Sequence, residues 1–126
     1  MSNTEQDFLC HIPFGMGGSY GRSSNRTEAI QRAYKACISD WSDYYDFSGQ
    51  DIKCVIADVT GHDKVYFGPG IYTFSKDGDE QHFDLESLSV KIPPFKSKQR
   101  LNSNSYRKKL DEAVLEAINK TPQVAA

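Results

Sequence analysis

The pattern of apolar and polar positions is most informative at residues 52–59. Apolar residues fill both alternating sets of positions there, except at Lys53 and Asp58. The stretch is also rich in β-branched residues, which favour strands. A strand that is apolar on both sides fits the interior of a sheet better than its edge. We therefore predict a central strand over residues 52–59.

Two further stretches have apolar residues three and four positions apart, the spacing of a helix with one apolar face. The first follows Asn25, which can cap the helix together with Glu28 three residues later. The second covers residues 105–120 and ends before Pro122. The apolar faces of these helices and of the central strand predict a buried core that includes Ile30, Tyr34, Ile38, Val55, Ile56, Leu110, Val114 and Ile118.

Shorter strands are predicted before and after the central one. The runs with strand-like composition lie at residues 8–14, 64–67, 71–74 and 82–92. An Asp-Gly pair at residues 77–78 is typical of a two-residue hairpin turn. In the last run the apolar positions change parity after Leu85, so we expect a bulge near residues 86–87.

The resulting order, β-α-β-β-β-β-α, has short links between the later strands and so predicts an α+β fold. We expect a mainly antiparallel sheet with two helices packed against it. A chain of 126 residues and 14.2 kDa has room for one core, so residues 1–126 are expected to form a single domain. Within it, residues 1–6 and 121–126 should be frayed, and residues 93–104 should form a basic loop.

Composition indicates the cellular location of the protein and the chemical state of its cysteines. No stretch approaches the roughly 18 apolar residues of a membrane span, and no apolar run typical of a signal peptide follows the first residues. Cys10, Cys37 and Cys54 are far apart, with no C-x-x-C pair that would indicate a zinc site or redox exchange. We predict a cytoplasmic protein without membrane contact, with reduced cysteines and with neither metal nor cofactor.

Charge is distributed unevenly along the chain. Residues 40–86 contain eleven acids and three bases, whereas residues 91–109, the basic segment, contain seven bases and no acid. Such bases can neutralise the phosphates of a nucleotide or nucleic acid. The candidate ligand-binding residues of the basic segment are Lys96, Lys98, Arg100, Arg107 and Lys108. The alternative is a solvated basic loop that balances the acidic region.

A glycine loop, residues 15–25, precedes the first helix. Glycines let the backbone approach phosphate oxygens, and a helix N-terminus attracts anions. The candidate anion-binding residues here are Gly17, Gly18, Gly21, Arg22 and Arg26. The spacing does not match G-x-G-x-x-G, so the alternative is a flexible connection or a turn that needs glycine.

The aromatic-acidic loop, residues 42–51, interleaves aromatic residues with aspartates. Tyrosine is favoured at binding hot spots because it offers a large contact area at a small entropic cost. Trp41 and Phe47 are expected to complete the core, which leaves Tyr44 and Tyr45 as the candidate partner-binding residues.

Catalysis has little support in the sequence. His11, His62 and His82 fall on three different predicted elements, and a Cys10 nucleophile would lie within a strand. A small hydrolase centred on one histidine stays a minor alternative, and the sequence leans towards a protein that is not an enzyme.

These patterns predict a small, non-catalytic binding module for an anionic ligand, either a nucleotide or a nucleic acid. The alternative is a protein-interaction module of inhibitor or regulatory type that uses the aromatic-acidic loop to bind a protein partner. The excess of aromatic residues over what one small core can bury also predicts a homo-oligomer, most simply a dimer.

Overall fold

A computed structural model provides the three-dimensional structure of the chain. For three short strands, residues 64–66, 72–74 and 80–81, it describes the backbone alone. The other residues that it describes are 6–13, 18–62, 85–95, 101 and 103–120. The predicted frayed termini, apart from Gln6, and half of the predicted basic loop (residues 96–100 and 102) therefore lie outside the described residues.

The main sheet has four antiparallel strands in the order β2-β1-β3-β7. These strands are β1 (Phe8–Ile12), β2 (Ser19–Ser23), β3 (Asp51–Asp58) and β7 (Glu86–Lys91). Between β3 and β7 the chain forms a second antiparallel sheet of β4 (Lys64–Tyr66), β5 (Tyr72–Phe74) and β6 (Glu80–Gln81). The helices are α1 (Arg26–Trp41) and α2 (Asn104–Lys120).

This arrangement confirms the predicted α+β fold with two helices and an antiparallel sheet. The predicted central strand is β3, which pairs with β1 on one side and β7 on the other. The predicted cap of the first helix is also present, since the Asn25 side chain accepts a hydrogen bond from the Glu28 backbone N–H at 3.1 Å.

Two strands were not predicted: the two-residue β6 and β2, which lies inside the glycine loop. β2 is the longer of the two. Its sequence, Ser-Tyr-Gly-Arg-Ser, has low intrinsic strand preference. Two tertiary contacts form it: β1 pairs with it along five residues, and α1 packs against Gly21. Tertiary packing thus overrides local preference here.

The last strand starts later than predicted and needs no bulge. β7 begins at Glu86, so Leu88 and Val90 share one face, while Leu85 packs on the other side of the sheet. The change in parity of the apolar positions after Leu85 therefore marks the start of β7. Residues 82–84 lie outside the described residues.

Both helices contribute to one core on one face of the main sheet. Of the eight predicted core residues, Val55 and Ile118 are only partly buried, and the other six are buried. Val55 points to the opposite face, where it packs with Leu9, Ala57 and Val59. The sheet therefore has a second, smaller apolar cluster.

The two helices run antiparallel to each other. Lys35 of α1 pairs with Asp111 of α2 at 3.0 Å, and Ile38, further along α1, lies near Tyr106 at the beginning of α2. The Tyr106 hydroxyl donates a hydrogen bond to the Pro93 carbonyl at 2.7 Å, which ties α2 to the segment after β7. Within the described residues, neither helix has the length and apolar character needed to cross a membrane.

Candidate functional site

In the described part of the glycine loop, backbone conformation and close packing require glycine. Gly18 has φ +72, a conformation that favours glycine, and a Cβ there would lie 2.4 Å from the His11 ring. A Cβ at Gly21 would lie 2.1 Å from the Ala29 carbonyl oxygen of α1. Gly18 and Gly21 therefore serve close packing, and Gly17 lies outside the described residues.

The two arginines next to these glycines are each bound by a carboxylate. Arg22 donates from Nε to both carboxylate oxygens of Asp7, at 2.9 and 3.1 Å, and from Nη2 to the His62 carbonyl at 3.1 Å. Arg26 forms an ion pair with Glu86 at the start of β7. An anion at this end of the sheet would have to compete with both carboxylates.

The basic segment is described only in part, because Lys96, Lys98 and Arg100 lie outside the described residues. Arg107 and Lys108 are exposed in the first two turns of α2. Neither forms an ion pair with any residue whose side chain the structure describes. These two cations are thus available to a ligand.

Arg107 borders a shallow groove between the helices, and Lys35 and Ser39 of α1 line the facing side. The groove holds about 30 Å³ of free volume, which is room for a water molecule or two. It is too small to enclose a nucleotide, so a ligand here would lie on the surface. Lys35 was not among the predicted binding residues, because its approach to Arg107 depends on how the helices pack.

The structure does not bring the two candidate anion-binding sets together. Arg26 is the first residue of α1, whereas Arg107 lies beside Ile38 and Ser39. At 1.5 Å per residue, the 12 positions from Arg26 to Ile38 span about 18 Å of helix. Arg22 and Arg26 therefore lie towards one end of α1, and Arg107 with Lys108 towards the other.

The aromatic-acidic loop presents the most exposed aromatic side chains of the described residues. Tyr44 is 76% exposed and Tyr45, beside it, is 55% exposed. Phe47 is fully buried and Trp41 is partly buried against the core, as predicted. Two anchored aromatics thus bracket two exposed ones.

The backbone of this loop is held by hydrogen bonds. The N–H groups of Tyr44 and Tyr45 both donate to the Trp41 carbonyl at 3.0 Å. The Asp46 carboxylate accepts from the Ser48 N–H at 3.0 Å. Gln50 donates to the Phe47 carbonyl and Gly49 to the Ile92 carbonyl, each at 3.0 Å. The tyrosines therefore project from an ordered support.

Two of the four candidate catalytic groups, Cys10 and His11, are buried. Cys10 is fully buried, and hydrogen bonding to Cys54 together with burial raises the pKa of its thiol, which stays protonated at neutral pH. His11 is also buried and stacks on Tyr20 with ring centres 4.5 Å apart. His62 is partly buried, and His82 lies outside the described residues.

Metal binding finds no support in the described part of the chain. No three His, Cys, Asp or Glu side chains in it are grouped as a metal ion requires.

Comparison with protein-family models, with curated proteins and with solved structures finds no match to this chain.

Proposed function

We propose that the protein is a non-catalytic protein-interaction module whose partner contacts Tyr44 and Tyr45 of the aromatic-acidic loop. The observation that carries this proposal is the exposure of two adjacent tyrosines, 76% and 55%, on a loop whose backbone is fixed by hydrogen bonds. Burial of such rings in a complex contributes roughly 25 cal/mol for each Å² of apolar surface removed from water.

The fixed geometry of the loop adds to the case. A loop that is already ordered loses little conformational entropy on binding, so more of the contact energy appears as affinity. Tyrosine itself has few rotatable bonds for its contact area and is enriched at interface hot spots. Rigid support and exposed tyrosines together make this loop a suitable binding surface.

Selection from a library of displayed random peptides tests the proposal. The wild-type protein is the target, and the double variant Tyr44→Ala, Tyr45→Ala is the counter-target. We expect enriched peptide families that bind the wild type and lose binding to the variant. Leu115→Ala, which truncates a 43% exposed apolar side chain on α2, should leave them bound. If every enriched family binds the double variant equally well, the proposal is wrong.

A second candidate function is binding of an anionic ligand, a nucleotide or nucleic acid, through the basic segment. The exposed Arg107 and Lys108 favour it, whereas Lys35, across the groove from Arg107, is paired with Asp111. Lys96, Lys98 and Arg100 would extend this contact along the phosphates. In this proposal Arg22 and Arg26 keep their carboxylate partners and contribute little.

Fluorescence anisotropy with labelled ATP and labelled single-stranded RNA tests the second candidate. The double reversal Arg107→Glu, Lys108→Glu should weaken binding strongly, and affinity should fall steeply with salt because phosphate contacts release counterions. The matched control reverses two exposed lysines elsewhere, Lys53→Glu and Lys120→Glu. Absence of binding at low salt, or equal losses in both variants, would contradict this function.

A further inference from the structure

The surface around the two exposed tyrosines carries negative charge. Residues 40–51 contain four aspartates and no lysine or arginine. Asp40, Asp43 and Asp46 are exposed at the end of α1 and in the loop. Asp51 is exposed as well and lies opposite Lys91 in the sheet. Three exposed carboxylates thus lie near Tyr44 and Tyr45 in the chain, with no basic residue between them.

Each tyrosine ring is supported from one side by an anchored aromatic neighbour. Tyr44 meets Trp41 edge-on with ring centres 6.1 Å apart. Tyr45 lies against the buried Phe47, also with centres 6.1 Å apart. These contacts leave much of both rings in solvent, next to the carboxylates. Ring faces and carboxylates are the two kinds of group that bind a lysine or arginine side chain.

We propose that the aromatic-acidic loop recognises a segment rich in lysine and arginine on a partner protein. The inference rests on the proposed function and names the chemistry of its partner. Cationic side chains would stack on Tyr44 and Tyr45 while neighbouring ones pair with Asp43 and Asp46. Arginine fits best, because its planar guanidinium stacks on an aromatic face and pairs with a carboxylate at the same time.

Other partner chemistries fit the loop less well. An acidic segment would meet like charges, which disfavour association. An apolar segment would remove the exposed carboxylates from water without supplying an opposite charge, which costs free energy. Charge complementarity therefore selects a basic occupant.

The test uses the full chain and three fluorescein-labelled peptides in which glycine alternates with arginine, lysine or glutamate. Anisotropy titrations at two salt concentrations should show binding of the arginine peptide, weaker binding of the lysine peptide and no binding of the glutamate peptide. The double variant Tyr44→Ala, Tyr45→Ala should weaken arginine-peptide binding about fivefold or more, the scale of two exposed cation–π contacts.

The charge contribution is tested by Asp43→Asn, Asp46→Asn. Asparagine at position 46 keeps the oxygen that accepts from Ser48, so the loop support is retained. This variant should also lose affinity, and the loss should shrink at high salt because screening weakens exposed charge pairs. Its matched control, Glu112→Gln, Glu116→Gln, removes two exposed acids from α2 and should bind like the wild type.

The outcomes separate the inference from the proposed function. If the library yields tyrosine-dependent peptides that are neutral or acidic, the function stands and the basic partner is overturned. If no tyrosine-dependent peptide is found, the function itself fails. Equal loss of arginine-peptide binding in the acid variant and in its α2 control would show nonspecific charge attraction and overturn the inference. Self-association through Tyr44 and Tyr45 would overturn it too, because the occupant would be a second copy.

Discussion

Gly21 lies where β2 passes closest to α1, and backbone atoms fill the space beside it. A Cβ there would meet the Ala29 carbonyl oxygen at 2.1 Å and the Ala33 nitrogen at 2.4 Å. Because both atoms belong to a helix backbone, neither can move away as a flexible side chain would. At this position glycine determines how closely the helix approaches the sheet.

We therefore expect Gly21→Ala to lower the free energy of unfolding by about 2–3 kcal/mol, the usual cost of an overpacked interior. Gly49→Ala is the control, since a Cβ there meets nothing within 4 Å and only the left-handed φ of +73 is unfavourable. That strain should cost about 1 kcal/mol. Urea unfolding followed by circular dichroism measures both, and a Gly21→Ala protein as stable as the control would contradict the packing described.

At the scale of elements, α2 shows what an apolar period can and cannot predict. The spacing of Leu110, Val114 and Ile118 predicted a buried helix face, and the first two are buried while Ile118 is partly buried. The pair Arg22–Asp7 was beyond such reasoning, because 15 positions separate the partners and only the β1–β2 pairing brings them together. Local periodicity is readable in one sequence, whereas contacts made by tertiary packing are not.

The same limit applies to the candidate site. The aromatic and acidic character of residues 42–51 was evident from the sequence. Trp41 and Phe47 were expected to complete the core, and they are partly and fully buried, whereas the exposure of Tyr44 and Tyr45 was left open. Their exposure depends on the turn that follows α1, where both N–H groups bond to the Trp41 carbonyl. Such turn geometry is weakly encoded in residue type.

Val114→Asp should unfold the domain. Val114 is fully buried between α2 and the rest of the core, so the change would place an unpaired carboxylate in an apolar environment. Leu115→Asp, one position further along and 43% exposed, should cost about 1 kcal/mol or less. Thermal melts by circular dichroism compare the two, and a cooperative melt of Val114→Asp near the wild-type temperature would be inconsistent with this helix face.

At the scale of the whole molecule, stability should depend on pH in the alkaline range. The reason is that buried tyrosine and cysteine side chains ionise only at high pH in the folded protein. Burial raises the pKa of Tyr106 to about 12 and that of Cys37 to about 11. In the unfolded chain tyrosine ionises near pH 10 and cysteine near 8.5. Between those values the unfolded chain has lost protons that the folded protein retains, so stability falls as pH rises.

The variant Tyr106→Phe isolates the contribution of the Tyr106 hydroxyl to this pH dependence of stability. At neutral pH the variant should be less stable by about 1 kcal/mol, because the Pro93 carbonyl loses its hydrogen bond from the tyrosine hydroxyl. Between pH 10 and 12, however, its stability should decline less than that of the wild type. Urea unfolding at a series of pH values measures both effects, and identical declines would show that Tyr106 does not carry the linkage.

Homo-oligomer formation stays a prediction at this scale. The exposed Tyr20 and Leu115, away from the aromatic-acidic loop in the chain, offer apolar surface that a second copy could cover. Sedimentation equilibrium at micromolar concentrations should give a mass near twice 14.2 kDa for a dimer. A mass that stays at the monomer value over the whole concentration range would contradict the prediction.

The chain leaves the main sheet after β3, forms the second sheet and re-enters the main sheet at β7. The strands β3 and β7 are hydrogen-bonded neighbours, with Ile56 opposite Glu86. Any connection that spans this short gap is compatible with the pairing, since the entropic cost of closing a loop grows only slowly with its length. Evolution is thus free to lengthen, shorten or exchange the segment between His62 and Leu85 while keeping the four-stranded framework, whereas Val59, Thr60 and His62 are held to it by packing and hydrogen bonds. The same junction offers protein engineers a place to graft a foreign hairpin or a reporter domain, far along the chain from Tyr44 and Tyr45.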